Sequence, residues 1–170
     1  MTELWNYAKY SAPFKQGDYF YYYKNSGLQN QSVLYQLRSL DAEPKEFIDP
    51  NKLSDDGTTA LKTVEFAENG QIVAFMFSEK GSDWAKIKFK EVETGKIYDD
   101  VLENVKFSCL SWTHDNKGVF YNRFPMSTKS DGTAIQKNEY QELCYHFLGR
   151  PQSEDLVCAR FADEPNWMGY

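Results

Sequence analysis

The feature that most constrains this chain is a hairpin-like unit that occurs three times. Its clearest copy is VKFSCLSWTHDNKGVFYNRF, Val105 to Phe124, where two β-prone runs flank the polar turn Thr113-His114-Asp115-Asn116-Lys117-Gly118. Such a turn is rich in residues that accept positive φ or close local side-chain turns, and the run after it is aromatic and β-branched, as strands prefer. TVEFAENGQIVAFMFS, Thr63 to Ser78, repeats the layout around Glu68-Asn69-Gly70. YSAPFKQGDYFYYYKN, Tyr10 to Asn25, repeats it again around Lys15-Gln16-Gly17-Asp18. The turn glycines Gly17, Gly70 and Gly118 are spaced by about 50 residues, inside the range of propeller blades. The chain is therefore expected to be all-β: a partial β-propeller of about three four-stranded antiparallel blades with the start of a fourth.

Read in order, residues 1–9 form an extended lead-in, with Trp5 and Tyr7 at alternate positions. Blade one is expected over 9–50. Its second strand, Asp18 to Lys24, carries the run Tyr19 to Tyr23, aromatic on both faces and so expected to be covered on both. A third strand spans Ser32 to Leu40 and a fourth Lys45 to Ile48. The polar stretch Asn51 to Thr58 reads as a linker. Blade two, 60–100, has its third strand at Trp84 to Val92, a turn at Glu93-Thr94-Gly95-Lys96 and a short last strand near Ile97-Tyr98. Blade three, 107–161, is interrupted by a polar insertion without periodicity, Pro125 to Asn138, of a length that is commonly functional. Tyr140 to Leu148 and Asp155 to Phe161 complete it, and 163–170 read as the start of a fourth blade. Helix signals are nearly absent.

Composition excludes several classes. A hydrophobic content of 41% with 16% aromatics is enough to build a core, which argues against disorder. A net charge of −6 without any Lys/Arg run excludes a nucleic-acid partner. No apolar stretch approaches a membrane span, so no membrane association is expected. The opening MTELWNYAKY lacks the basic head and apolar core of a secretory signal. Cys109, Cys144 and Cys158 are an odd number without metal-ligand spacing, which reads as reduced thiols in a cytoplasmic protein. Cys144 and Cys158 could face each other across a hairpin turning near Gly149-Arg150-Pro151, but a structural disulfide is not expected in that compartment.

Catalytic chemistry finds little purchase. No G-x-S-x-G pentapeptide is present, and Gly81-Ser82-Asp83-Trp84 lacks both the second glycine and a following helix. His114 lies in a repeated turn whose equivalents carry Asn69 or Gln16, and reads as a solvated turn residue. His146 alternates with Tyr145 and Phe147 and reads as a satisfied sheet residue. Two histidines and three dispersed cysteines form no metal site. Ser54-Asp55-Asp56-Gly57 lacks the ligand spacing and distal Glu of a calcium loop. No cofactor is expected. Asp83 reads as a residue capping its own turn or as half of a buried ion pair with an arginine elsewhere. Phe107 and Met168 fall at or just before the first strand of a blade, which lines a propeller's channel; such residues are most often core. Taken by themselves, the residues describe a piece of propeller with no chemistry of its own.

Several strings nevertheless carry a specific likeness. NSGLQNQ (Asn25 to Gln31), LSDDGT (Leu53 to Thr58), GSDW (Gly81 to Trp84), VKFSC (Val105 to Cys109), WTHD (Trp112 to Asp115), KSDGT (Lys129 to Thr133), QSEDLVCA (Gln152 to Ala159) and DEPNWMG (Asp163 to Gly169) run in order along the chain. Together they closely resemble the prolyl oligopeptidases. That resemblance implies cytosolic serine peptidases that cleave short peptides after proline. In them an α/β-hydrolase domain carries the Ser-Asp-His triad, and a seven-bladed propeller covers it. It also implies that this chain corresponds to the first three blades and the start of the fourth, without the N-terminal helical segment, the remaining blades or the hydrolase domain, and so without activity of its own. Met1-Thr2-Glu3-Leu4 matches an internal position of the family, as in a truncated reading frame. By resemblance, Phe107 of VKFSC and Met168 of NWMG contribute to an apolar pocket for the substrate residue two before the proline. Asp83 of GSDW resembles an acid that pairs with a substrate-orienting arginine of the hydrolase domain. The insertion Pro125 to Asn138 corresponds to a loop associated with substrate access. The alternative is a non-catalytic propeller serving as a protein-interaction scaffold.

Overall fold

The structure, a computed structural model, describes residues 6–54, 58–125 and 138–169. Its strands fall into two antiparallel sheets. The first joins β1 (Lys9–Tyr10), β2 (Phe14–Gln16), β3 (Tyr19–Asn25), β4 (Val33–Leu37) and β5 (Lys45–Ile48); β1 and β2 lie on opposite ends of β3 and act as one interrupted inner strand. The second is a meander of β6 (Ala60–Phe66), β7 (Ile72–Ser78), β8 (Ala85–Glu91), β9 (Ile97–Trp112), β10 (Gly118–Arg123), β11 (Glu142–Phe147) and β12 (Leu156–Arg160), each strand paired with the next. The chain is thus all-β, a partial β-propeller.

The short strand expected near Ile97-Tyr98 is in fact the start of the 16-residue β9. The first half of β9 pairs with β8 and the second with β10, and Val105 pairs with both, opposite Ala85 and Arg123. No glycine or proline interrupts Ile97 to Trp112, so nothing in the backbone ends the strand. Instead it turns in place, through positive φ at Asn104 (58°) and Phe107 (48°). The second sheet is therefore two four-stranded layers sharing one strand.

The repeated turns sit side by side. Asn69 N–H donates to Asn116 Oδ1 at 3.1 Å, and His114 Nδ1 meets Glu68 Oε1 at 2.6 Å. A Cβ placed on Gly70 would lie 2.6 Å from the Cα of Gly17. This contact requires glycine sterically, as does a φ of 68° at Gly70. The equivalence expected for Gly118 is corrected: positive φ in the third turn belongs to Asn116, at 57°. The turn bonds agree, since Gly70 N–H to Ala67 O matches Asn116 N–H to Thr113 O. Gly118 is glycine for a different reason, because a Cβ there would stand 2.1 Å from the carbonyl oxygen of His146. His114 accordingly takes the place of Glu68 rather than that of Asn69.

Two apolar cores separate the layers. Tyr19, Tyr21, Leu34, Phe47 and Ile48 pack against Val73, Phe75 and Phe77 of β7. Ala74 and Met76, on the other face of β7, join Ile87, Phe89, Leu102, Val105, Val119, Tyr121 and Cys144. Strand β7 is buried on both faces, which explains its unbroken apolar run IVAFMF. Burying a side chain such as Phe75 or Phe89 contributes about 1.5–3 kcal/mol. The aromatic run of β3 does not behave this way. Tyr19 and Tyr21 face the core, while Phe20 and Tyr22 are half-exposed, because no layer covers that face of the first sheet among the described residues. Tyr22 stacks instead on Tyr35, centroids 5.6 Å apart.

Candidate substrate-facing site

The site grows from an irregularity in β9. Tyr121 pairs with Leu110 and Arg123 with Val105, so a single β10 residue, Asn122, faces the whole segment Lys106 to Cys109. The surplus residues bulge, which re-aims side chains as bulges commonly do beside functional sites. Phe107 sits in the bulge with φ 48°, a conformation that costs an L-residue roughly 1–2 kcal/mol. Its ring is exposed rather than packed in the core. The expected place at or before the start of a strand is corrected as well: Phe107 lies within β9, at the point where the strand passes between layers.

Lys106 gathers the neighbouring groups. Its side chain is 11% exposed, with Nζ 5.1 Å from the Phe107 ring, 5.2 Å from the Trp84 ring and 3.8 Å from Asp83 Oδ2. Asp83 and Phe107, distant in sequence, thus meet around one ammonium. Within this chain Asp83 neither caps its turn nor is buried. The turn is capped by Ser82, whose Oγ accepts from Trp84 N–H at 3.1 Å, and the Asp83 carboxylate is exposed and pairs with a lysine. Trp84 braces the corner by packing edge-on against Phe124, centroids 5.9 Å apart.

Met168 arrives from the far end of the chain. The segment carrying it is tied down by Tyr140 N–H to Pro165 O at 2.7 Å and by Trp167 N–H to Glu164 O at 3.0 Å. Met168 is exposed beside exposed Trp167, whose ring meets that of Phe161 edge-on at 5.6 Å. Buried Gln141 joins the two parts of the site. Its Nε2 donates to Phe107 O at 3.1 Å, and its Oε1 accepts from Gly169 N–H at 3.0 Å. Buried Asn122 makes the parallel link, donating from Nδ2 to Gly169 O at 2.9 Å and from its backbone N–H to Ser108 Oγ at 2.8 Å. Lys106, Asn122 and Gln141 escaped the sequence reading. Their signal was present, in an asparagine inside the aromatic strand GVFYNR and a glutamine opening QELCYHF, but it carried no indication of what they bind.

The remaining candidates lie apart from this corner. His114 is exposed in its turn. His146 is fully buried, with Nδ1 2.7 Å from Asp155 Oδ1, Nε2 3.3 Å from Asp100 Oδ2 and its ring stacked on Phe89. Burial disfavours the imidazolium, but the hydrogen bond and charge of Asp155, followed by those of Asp100, outweigh it and raise the pKa. A ring held between two carboxylates favours its protonated form and has no hydroxyl or thiol among its hydrogen-bond partners to activate. Cys144 is buried and pairs across from Val157, Cys158 is exposed at the irregularity beside that pair, and both are free thiols. Burial pushes the Cys144 thiol up to about 12, which makes it inert. Among the described residues no group of His, Cys, Asp and Glu could hold a metal ion, and no helix is long and apolar enough to cross a membrane. Most of the insertion Pro125 to Asn138 lies outside the described residues.

This architecture has close counterparts. The family model described as the prolyl oligopeptidase N-terminal β-propeller domain matches residues 1–170. The chain is 44% identical over 156 residues to the prolyl endopeptidase of Elizabethkingia miricola, covering 91% of this chain and 22% of that protein. It is 32% identical to a dual-function macrocyclase-peptidase of Galerina marginata, covering 96% of this chain and 25% of that one. The solved prolyl oligopeptidase B of Galerina marginata, bound to a 35mer hydrolysis and macrocyclization substrate, superposes with a TM-score of 0.85 at 29% identity, over 96% of this chain and 25% of that structure. The chain spans about a quarter of the length of the curated relatives it matches. With the whole chain matched by the propeller domain and its layers superposing on a solved member, the chain belongs to the prolyl oligopeptidase family.

Proposed function

We propose that this chain is the substrate-facing propeller sector of a cytoplasmic serine endopeptidase that cleaves short peptides after proline, and that it performs no covalent step itself. In this reading residues 9–50, 60–100 and 107–161 are three blades, 163–170 open a fourth, and the hydrolase domain and further blades are its partners. The acyl transfer would run through a serine nucleophile on polypeptide beyond these residues. The observation that carries the proposal is the tie that buried Gln141 makes between Phe107 O and Gly169 N–H, which joins two distant segments bearing the exposed apolar side chains of Phe107 and Met168. An exposed aromatic on a strained bulge gains nothing for the core and suits an apolar substrate side chain. Asp83 supports the same reading. Its carboxylate is exposed, and its ion pair with Lys106 is long at 3.8 Å, so a more favourable cation such as an arginine of the catalytic domain could take it over.

A glycyl-prolyl reporter peptide tests the division of labour. The purified chain is expected to leave it intact, while the adjoining coding region is expected to encode G-x-S-x-G followed by Asp and His. Proline-specific turnover by the chain alone, abolished by His114→Ala or His146→Ala, would overturn the proposal.

A further inference from the structure

The three segments that meet beneath Phe107 and Met168 are joined by hydrogen bonds that no strand ladder supplies. Gln141 and Asn122 are 3% and 4% exposed, in a region of aromatic strands where an unpaired amide would be costly. Both are satisfied by the same two chain segments. Gln141 donates to Phe107 O and accepts from Gly169 N–H; Asn122 donates to Gly169 O and, through its main chain, to Ser108 Oγ. Gly169 therefore has its N–H held by one amide and its C=O by the other, while the bulge is held at both Phe107 and Ser108. Neither Phe107 nor Met168 has a buried side chain that would fix its own position. The main chain is fixed instead, at Phe107 itself and at Gly169 next to Met168.

We infer that Gln141 and Asn122 are positioning residues that set the spacing between the Phe107 and Met168 walls. This rests on the reading of those walls as a substrate pocket, but its own content is mechanical and is tested separately. A glutamine is suited to the task because it offers a donor and an acceptor on one rigid plane, so the two walls cannot move independently. Replacement by Glu keeps the acceptor for Gly169 and removes the donor for Phe107. Replacement by Leu removes both.

Amide hydrogen exchange on the full 170-residue chain reads the two ends separately. In Gln141→Leu, exchange at Gly169 is expected to accelerate at least about tenfold, as for a lost hydrogen bond. Exchange at Asn122, whose N–H is held by Ser108 in the bulge, is expected to accelerate with it. In Gln141→Glu, Gly169 keeps its protection while Asn122 loses it. Amides in β3 and β7 serve as the control and stay unchanged. Unaltered Gly169 exchange in Gln141→Leu, or an equal loss at β3 and β7, overturns the inference. An apolar proline-containing peptide titrated into the same samples isolates the underlying reading. If exchange responds as stated and the wild-type chain binds no peptide, the pocket reading fails and the positioning role stands. If the peptide binds wild type and Gln141→Leu equally, the two residues do not set the pocket.

Discussion

At the scale of single residues, the buried imidazole of His146 has the clearest consequence. An imidazolium can donate to Asp155 and Asp100 together, whereas neutral imidazole has one N–H and must release one of them. Tyr121 also donates to Asp155, at 2.6 Å, and Gly149 N–H to Asp100, so the network fastens the β11–β12 connection onto β9. Because the folded-state pKa of His146 is raised, its contribution is complete below the unfolded value of about 6.5 and is lost as pH rises through the folded pKa. Urea unfolding from about pH 6 upward is therefore expected to show stability declining with pH in the wild type and a shallower decline in His146→Gln. Equal slopes would mean that His146 carries no extra proton in the folded chain. Only part of this was legible beforehand. Alternation with Tyr145 and Phe147 marked a sheet histidine, but Asp100 lies 46 residues away and nothing local points to it. Asp83 shows the same limit, since its partner Lys106 is fixed by strand pairing rather than by the GSDW turn.

At the scale of elements, the hairpin repeat was legible because β-prone runs and turn chemistry are local properties. The spacing of the turns was less so, because glycine serves two purposes. Gly70 supplies positive φ and room for Gly17, whereas Gly118 makes room for the His146 carbonyl, and the sequence writes both with one letter. Substitution separates them. Gly70→Ala is expected to lose at least about 1–2 kcal/mol, from the left-handed backbone alone, with the contact to Gly17 adding to it. Asn116→Gly, at the equivalent position, keeps the positive φ and gives up only the bond from Asn69 N–H to Oδ1 and the one from Nδ2 to His114 O, so a loss of about 0.5–1.5 kcal/mol per bond is expected without any backbone strain. Thermal unfolding of both variants checks the assignment, and a large loss in Asn116→Gly with none in Gly70→Ala would reverse it. The continuity of β9 was illegible for a related reason. A strand that passes from one layer to the next keeps β-prone residues throughout, and the passage is marked only by positive φ at Asn104 and Phe107, two residues that do not announce it.

At the scale of the molecule, the layers stack around a line of turns and leave apolar groups uncovered at both ends of the array. Phe20 and Tyr22 lie half-exposed on the first sheet, and Leu156, Val157 and Phe161 are exposed on or beside β12. The family strings pointed to Phe107, Met168 and Asp83, whereas the hydrogen-bond network around Phe107 and Gly169 is a product of the fold, drawn from β9, β10, the residue before β11 and the last described residues. On the proposed reading, this assembly offers a peptide a pair of apolar walls with a charged pair alongside, and no activated nucleophile among the described residues. A backbone-amide NMR titration of the chain with a short, apolar proline-containing peptide tests that claim most directly. Shifts confined to Lys106–Cys109, Asn122, Gln141 and Trp167–Gly169, with the peptide recovered intact, are the predicted result. Shifts centred on His114 or His146, or recovery of a cleaved peptide, would contradict it.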